Sequence, residues 1–198
     1  MRNLDEVYTP EFFESLKSRV WRAEFICKAI ADVMQPKVVI DVGCGVGDLI
    51  YGFLSLSIDA YGIESSPNVL RHLAVLPYRV LLTDLRKVEA AEIMRVREGN
   101  VAVCFNVAEH IDAEYTDVFL NNLTIASKTI LFAASPEPTH THRLVNFKSK
   151  MEWLEEFSKR QYFVDWDTVE LICEGLRRVR HKPIIKMITD NLICCTRI

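Results

Sequence analysis

The sequence predicts an α/β fold in which a mostly parallel seven-stranded sheet is covered by helices on both faces. Three observations predict it. Short apolar runs, several of them rich in β-branched residues, alternate with stretches of helical periodicity through most of the 198 residues. No internal repeat, low-complexity tract or Pro/Gly/Ser linker interrupts them. Near the start of the alternation, Val38-Val39-Ile40-Asp41-Val42-Gly43-Cys44-Gly45-Val46-Gly47-Asp48 reads as a buried strand, a tight glycine turn and a helix start. Alternation of this kind implies parallel strands joined by crossover helices.

In chain order, residues 10–34 carry helical spacing in Phe12, Phe13, Leu16, Val20, Trp21, Phe25 and Ile26. Thr9 suits the cap and Pro10 the first turn. This segment packs on a sheet edge, or covers a pocket with Tyr8 or Phe12 toward a ligand. Strands are expected over 38–42, 60–63, 79–82, 101–105, 129–133, 162–164 and 191–197. Helices are expected over 48–56, 68–76, 90–97, 114–127, 150–160 and 167–178. A loop containing Pro136 and Pro138 follows the fifth strand.

The totals narrow the function classes. Hydrophobic residues make up 49% and charged residues 26%, with a formal net charge of −3. That balance gives no broad electrostatic footprint for nucleic acid. No apolar run reaches a membrane span, and Met1-Arg2-Asn3-Leu4-Asp5-Glu6 does not read as a signal peptide. The six cysteines (Cys27, Cys44, Cys104, Cys173, Cys194, Cys195) show no C-x-x-C spacing. Most lie in apolar runs, where a reduced thiol acts as a small core residue, so a reducing, cytoplasmic setting and no metal site are expected.

In a sheet of this kind ligands bind beyond the carboxyl ends of the strands, where the strand order reverses. The first strand ends in the glycine turn. The second ends in Glu64, about twenty residues further on, the separation at which an acid meets a ribose diol. The third ends in Thr83-Asp84-Leu85, with an acid able to accept from an exocyclic amine such as that of adenine. The fourth ends in Asn106-Val107-Ala108-Glu109-His110-Ile111. A phosphate-binding loop needs Lys-Ser or Lys-Thr after its last glycine, and Asp48-Leu49 stands there instead. A dinucleotide turn needs a third glycine at the position of Asp48, and Asp41 and Asp48 place negative charge near a pyrophosphate. A ligand with ribose, adenine and a positive centre but no phosphate fits better, and S-adenosylmethionine is such a ligand.

Asp41-Val42-Gly43-Cys44-Gly45-Val46-Gly47 resembles the first motif, D/E-x-G-x-G-x-G, of class I S-adenosylmethionine-dependent methyltransferases. Glu64 and Asp84 match the family's ribose-side and adenine-side acids. Residues 106–111 are similar to the segment after strand four in small-molecule members. The resemblance covers about 38–135 and implies a Rossmann-like fold. It also implies that Asp41 and the turn through Gly43, Cys44, Gly45 and Gly47 hold the methionine end. By the same likeness Glu64 with Ser65 holds the ribose, Asp84 with Leu85 the adenine, and the Asn106 backbone lies near the sulfonium. More loosely, His142 through Asn146, followed by Trp153-Leu154-Glu155-Glu156-Phe157, looks like an H-x-x-N segment of one subgroup with one residue added. In that subgroup Asp190-Asn191 looks like the start of the last strand.

Methyl transfer is an in-line displacement at an activated carbon, and the protein supplies alignment and a water-poor pocket. A base is needed where the nucleophile is a hydroxyl. His110 after strand four and His142 after strand five are the catalytic candidates, with His140 on the same rim and His72 and His181 elsewhere. Tyr8, Glu109 and Asn146 are expected to touch substrate, although Asn146 also suits a cap for the helix from Lys150. The signatures of DNA amino-methylating, metal-dependent catechol-type and cytosine-C5 enzymes are missing. The run Arg177-Arg178-Val179-Arg180-His181-Lys182 could hold a phosphate backbone, or be a solvated helix end. One domain is expected, with a helical cap over 1–35, a cofactor-binding half over 36–135 and a substrate-side half over 136–198. The expected function is O-methylation of a small molecule or glycan. The alternatives are an RNA or protein methyltransferase, or a catalytically inactive S-adenosylmethionine-binding protein.

Overall fold

A computed structural model of the chain describes residues 4–17, 21–87, 101–137, 145–178 and 183–197. The N-terminal segment forms α1 (Leu4–Val7), α2 (Pro10–Lys17) and α3 (Trp21–Met34). Then come β1 (Val38–Val42), α4 (Asp48–Ser55), β2 (Asp59–Glu64), β3 (Val80–Leu82) and β4 (Val101–Phe105). They are followed by α5 (Thr116–Ala126), β5 (Thr129–Ala133), α6 (Lys150–Lys159), β6 (Phe163–Val164), α7 (Trp166–Arg177), α8 (Pro183–Asn191) and β7 (Ile193–Thr196).

The strands form one seven-stranded sheet in the order β3-β2-β1-β4-β5-β7-β6. β1 through β5 pair in parallel, and β7 runs antiparallel to both β5 and β6. Neighbouring residues of a strand face opposite sides of the sheet, and both sides are covered. Val39, Val103, Leu131 and Cys194 pack with Cys27 and Ile30 of α3, Phe53 of α4, Leu176 of α7 and Ile188 of α8. Ile40, Cys104, Phe132 and Cys195 pack with Phe119 and Leu123 of α5 and Trp153 and Phe157 of α6. Burial on both sides is why these strands read as continuous apolar runs. The strand order reverses at β1 and β4, which pair with Asp41 opposite Val103. That reversal opens the crevice at their carboxyl ends.

The seven strands expected from the sequence are present, and two details differ. Over 10–34 the described residues are helical at Pro10–Lys17 and Trp21–Met34, and residues 18–20 lie outside the described residues. Residues 68–76 do not form an α-helix: a 3-10 turn covers Pro67–Arg71, and the Ala74 amide donates to the Val46 carbonyl at 2.8 Å. That bond ties the segment to the glycine turn instead of to its own helix. Asp190-Asn191 does not start the last strand but ends α8, which the sequence pattern did not predict, and β7 begins at Ile193. The expected helix over 90–97 lies outside the described residues. Among the described residues no helix is long and apolar enough to cross a membrane.

Candidate active site

The turn after β1 is built for close approach. Gly43, Gly45 and Gly47 all have positive φ, at 81°, 50° and 77°. A Cβ on Gly43 would lie 2.3 Å from Val107 Cγ2, so the turns after β1 and β4 touch at a position open only to glycine. The Ile63 carbonyl accepts the amides of Gly43 and Cys44 at 2.8 and 3.0 Å, which fixes the turn against the end of β2.

Glu64 completes that turn. Its Oε2 accepts the Gly45 amide at 3.0 Å, and its Oε1 accepts the amides of Ser65 and Ser66 at 2.7 and 2.9 Å. Burial pushes the Glu64 carboxyl up, and these three amides oppose the shift. Asp41 is 3% exposed, and burial, then the charges of Asp48 and Glu64, push its carboxyl well above the ordinary range. Asp48 at the start of α4 is also raised by burial, against the amide of Leu49 and its own. Among the described residues no ion pair joins Asp41, Asp48 or Glu64 to a lysine, arginine or histidine.

Asp84 after β3 has a partner of its own. Oδ1 accepts the Arg86 amide at 3.0 Å and Nε–H at 2.9 Å, while Oδ2 accepts a terminal guanidinium N–H at 2.8 Å. Burial acts to raise Asp84, but Arg86 and Lys87 outweigh it and hold the carboxyl below its usual range. The adjoining Leu85 is buried and its amide donates to Ser65 Oγ at 3.3 Å. Asn122 of α5 donates to the carbonyls of Leu85 and Lys87, clamping this turn to the helix layer.

The β4 end carries three polar residues in one short stretch. Asn106 has φ of 59°, its amide donates to the Ala133 carbonyl at 2.9 Å, and its Oδ1 is buried without a hydrogen-bond partner. Glu109 lies in the 3-10 turn Ala108–His110 and is 2% exposed. Its Oε1 accepts the Ser135 amide at 3.1 Å, and its Oε2 is buried without a partner. Burial pushes the Glu109 carboxyl up to about 7, against its own amide and that of Ser135. The His110 ring stands 6.0 Å, centroid to centroid, from that of Tyr8.

No protein-family model matches the chain, and no curated protein matches its sequence. Solved structures do match. Human N-acetylserotonin methyltransferase in complex with S-adenosylmethionine superposes with a TM-score of 0.62 at 12% identity, over 98% of this chain and 58% of that one. Magnesium protoporphyrin IX methyltransferase from Synechocystis PCC 6803, with bound S-adenosylmethionine, gives 0.57 at 15% identity over 92% and 79%. The methyltransferase domain of bacterial CtHen1-CN gives 0.55 at 20% identity over 74% and 86%. The chain has the class I methyltransferase fold. At these identities the likeness establishes the architecture.

On this methyltransferase fold the N-terminal segment covers the glycine turn. Phe13 of α2 is buried with Val46 and Val69, and the Tyr8 carbonyl accepts Asn68 Nδ2–H at 3.0 Å. His72 Nδ1 lies 2.9 Å from Glu14 Oε2, a second tie between the cover and the segment after β2. Tyr8 thereby reaches both the cover and the His110 rim. Asn146 is not the cap of α6: Ser149 and Glu152 form a capping box there. Instead Asn146 is buried and donates to Thr116 Oγ1 at 2.9 Å. His140, His142 and His181 lie outside the described residues. Two participants escape a sequence reading. Ser135 acts through its amide, which no side-chain pattern reports. Arg86 grips Asp84, and a lone arginine two residues after an acid is a weak signal.

Proposed function

We propose that the chain is an S-adenosylmethionine-dependent methyltransferase acting on the oxygen of a small molecule or glycan. One observation carries the reading. Asp41, Asp48 and Glu64 are acids gathered beneath a glycine turn, Asp41 and Glu64 buried, with no cation paired to them among the described residues. Such a site is repelled by a pyrophosphate and completed by a ligand that brings positive charge and hydrogen-bond donors. The left-handed backbone at Gly43, Gly45 and Gly47 and the orphaned Asn106 Oδ1 fit the same ligand.

When bound, S-adenosylmethionine supplies an electrophilic methyl group on a positively charged sulfur. Asp41 and the backbone from Gly43 to Gly47 would hold its methionine end. Glu64, with Ser65, would hold the ribose hydroxyls, using lone pairs left after its three amide bonds. Leu85 and the unshared lone pair of Asp84 Oδ2 would bound the adenine, with Arg86 keeping the carboxylate in place. Tyr8, Phe12 and His110 would wall the acceptor side, and His110 and His142 are the histidine candidates for the chemistry. The likeness to methyltransferases of different substrates supports the reaction class and leaves the acceptor to this chain's own rim.

Calorimetric titration with S-adenosylmethionine and, separately, NAD tests the reading on wild type and on Glu64→Ala. Binding of the sulfonium ligand alone, collapsing in the variant, is the expected result. Binding of NAD instead, or of neither, refutes it.

A further inference from the structure

Glu109 is a buried carboxyl held at one oxygen and open at the other. The amide of Ser135, beyond the end of β5, fixes Oε1. The Glu109 carbonyl accepts the amides of Val145 and Asn146 at 2.8 and 3.2 Å, where the chain returns after residues 138–144. Three segments therefore converge on this residue, and none supplies a partner for Oε2. Leaving a buried carboxyl oxygen unsatisfied costs stability, and such atoms mark places where a ligand completes the bonding. Asn106 Oδ1, at the end of the same strand, is in the same condition. Asn106 Oδ1 is an acceptor and Glu109 Oε2 is one in the carboxylate form, so a donor or a positive charge completes both. Around Glu109 stand its neighbour His110, the Ser135 amide and the Cys104 thiol, which feels the charges of both Asp41 and Glu109. Among the described residues no lysine or arginine pairs with Glu109.

We propose that Glu109 takes up the proton that the acceptor hydroxyl loses, and that positive charge bound at the β4 rim is what ionises it. The proposal rests on the methyltransferase reading above. In the transfer, the acceptor oxygen forms a bond to the methyl carbon, the carbon–sulfur bond breaks with its electron pair left on sulfur, and the hydroxyl proton passes to Glu109 Oε2. Burial places Glu109 near neutrality on the pH scale, at about 7, so a modest field moves it between its two forms. A sulfonium beside it favours the carboxylate, which is the base. A neutral thioether in the same place lets Glu109 keep the proton. The base is thereby ready only while a methyl group is available.

The difference between the two cofactor forms isolates this effect, because both carry the same amino acid and nucleoside. The full chain is titrated at pH 7 with S-adenosylmethionine and with S-adenosylhomocysteine, in two buffers of different ionisation enthalpy, to count protons. The sulfonium form is expected to release more, by up to about half a proton, since a group titrating near 7 is half protonated there. Glu109→Gln abolishes the difference, and His110→Gln retains it. No difference in wild type with both ligands bound, or a difference that survives in Glu109→Gln, overturns the proposal. If Glu109→Gln does not fold, the wild-type infrared spectrum decides. A protonated-carboxyl band present with the thioether must bleach with the sulfonium, and an unchanged band overturns the proposal. Failure of both ligands to bind refutes the methyltransferase reading itself, which is a separate outcome.

Discussion

Glu64 Oε2 accepts the amide of Gly45, 19 residues earlier, so the acid that ends β2 holds the glycine turn that follows β1. One side chain thus shapes the cradle and faces the ligand proposed for it. Glu64→Ala strips three backbone amides of their acceptor. The expected cost is about 3 kcal/mol in unfolding stability, with affinity for S-adenosylmethionine falling about tenfold or more. Glu64→Gln keeps one acceptor oxygen and loses less stability. Denaturant unfolding at fixed pH ranks the three proteins, and an alanine variant as stable as wild type contradicts this account.

Gly43 has φ of 81° and stands where a Cβ would meet Val107 Cγ2 at 2.3 Å. Gly43→Ala therefore carries two penalties, a left-handed backbone of about 1–2 kcal/mol and a clash of about 1–3 kcal/mol. Adding Val107→Ala relieves the second and not the first. A double-mutant cycle of unfolding free energies should show that partial rescue, and strict additivity would rule the contact out.

Phe13 is the buried anchor of α2, packed on Val46 and Val69. Phe13→Ala is expected to undock this helix from the glycine turn, since losing a buried phenyl costs about 3–5 kcal/mol. Hydrogen exchange should then rise over 10–17 while the sheet stays protected, and S-adenosylmethionine should dissociate faster. Unchanged exchange over 10–17 would remove the case for α2 as a cover.

Glu109 gives the fold a pH dependence of known sign. Its carboxyl is raised from an ordinary 4.5 to about 7, so the folded chain binds the proton more tightly than the unfolded one. Its contribution is fully present below about 4.5 and is lost as pH rises through about 7. The full loss is on the order of 3 kcal/mol. Asp41 and Glu64, also raised, act in the same direction. The difference between wild type and Glu109→Gln, followed by denaturant unfolding from pH 4.5 to 8, should therefore fall steadily with pH. A flat difference would mean that Glu109 titrates as an exposed acid.

The sheet was legible because strands buried on both sides leave an unmistakable pattern, as in Val38-Val39-Ile40 and Val101-Ala102-Val103. The glycine turn and Glu64 were legible because their spacing follows from the geometry of a strand, a turn and a helix start. Segment 68–76 was not, because a tertiary bond, Ala74 to Val46, overrides its helical spacing. Helix α8 was hidden by Ile184, Ile185 and Ile188, β-branched residues that suit a strand as well as a buried helical face. The partners of Asp84 and Glu109 were hidden for another reason. Arg86 and the Ser135 amide are ordinary in sequence and become meaningful only when the strand ends converge.

All six cysteines of this chain are shielded, from Cys27 in α3 and Cys44 in the glycine turn to Cys194 and Cys195 in β7. Each lies in a different element, apart from the adjacent pair in β7, and they divide between the two sides of the sheet. Burial also drives their thiols away from the reactive thiolate, as at Cys104 and Cys44. An alkylating reagent therefore meets a native molecule that is silent, and each thiol that does react dates the breathing of its own neighbourhood. Mass analysis of briefly labelled protein would order those openings, and a ligand seated on the glycine turn should delay Cys44 above the rest.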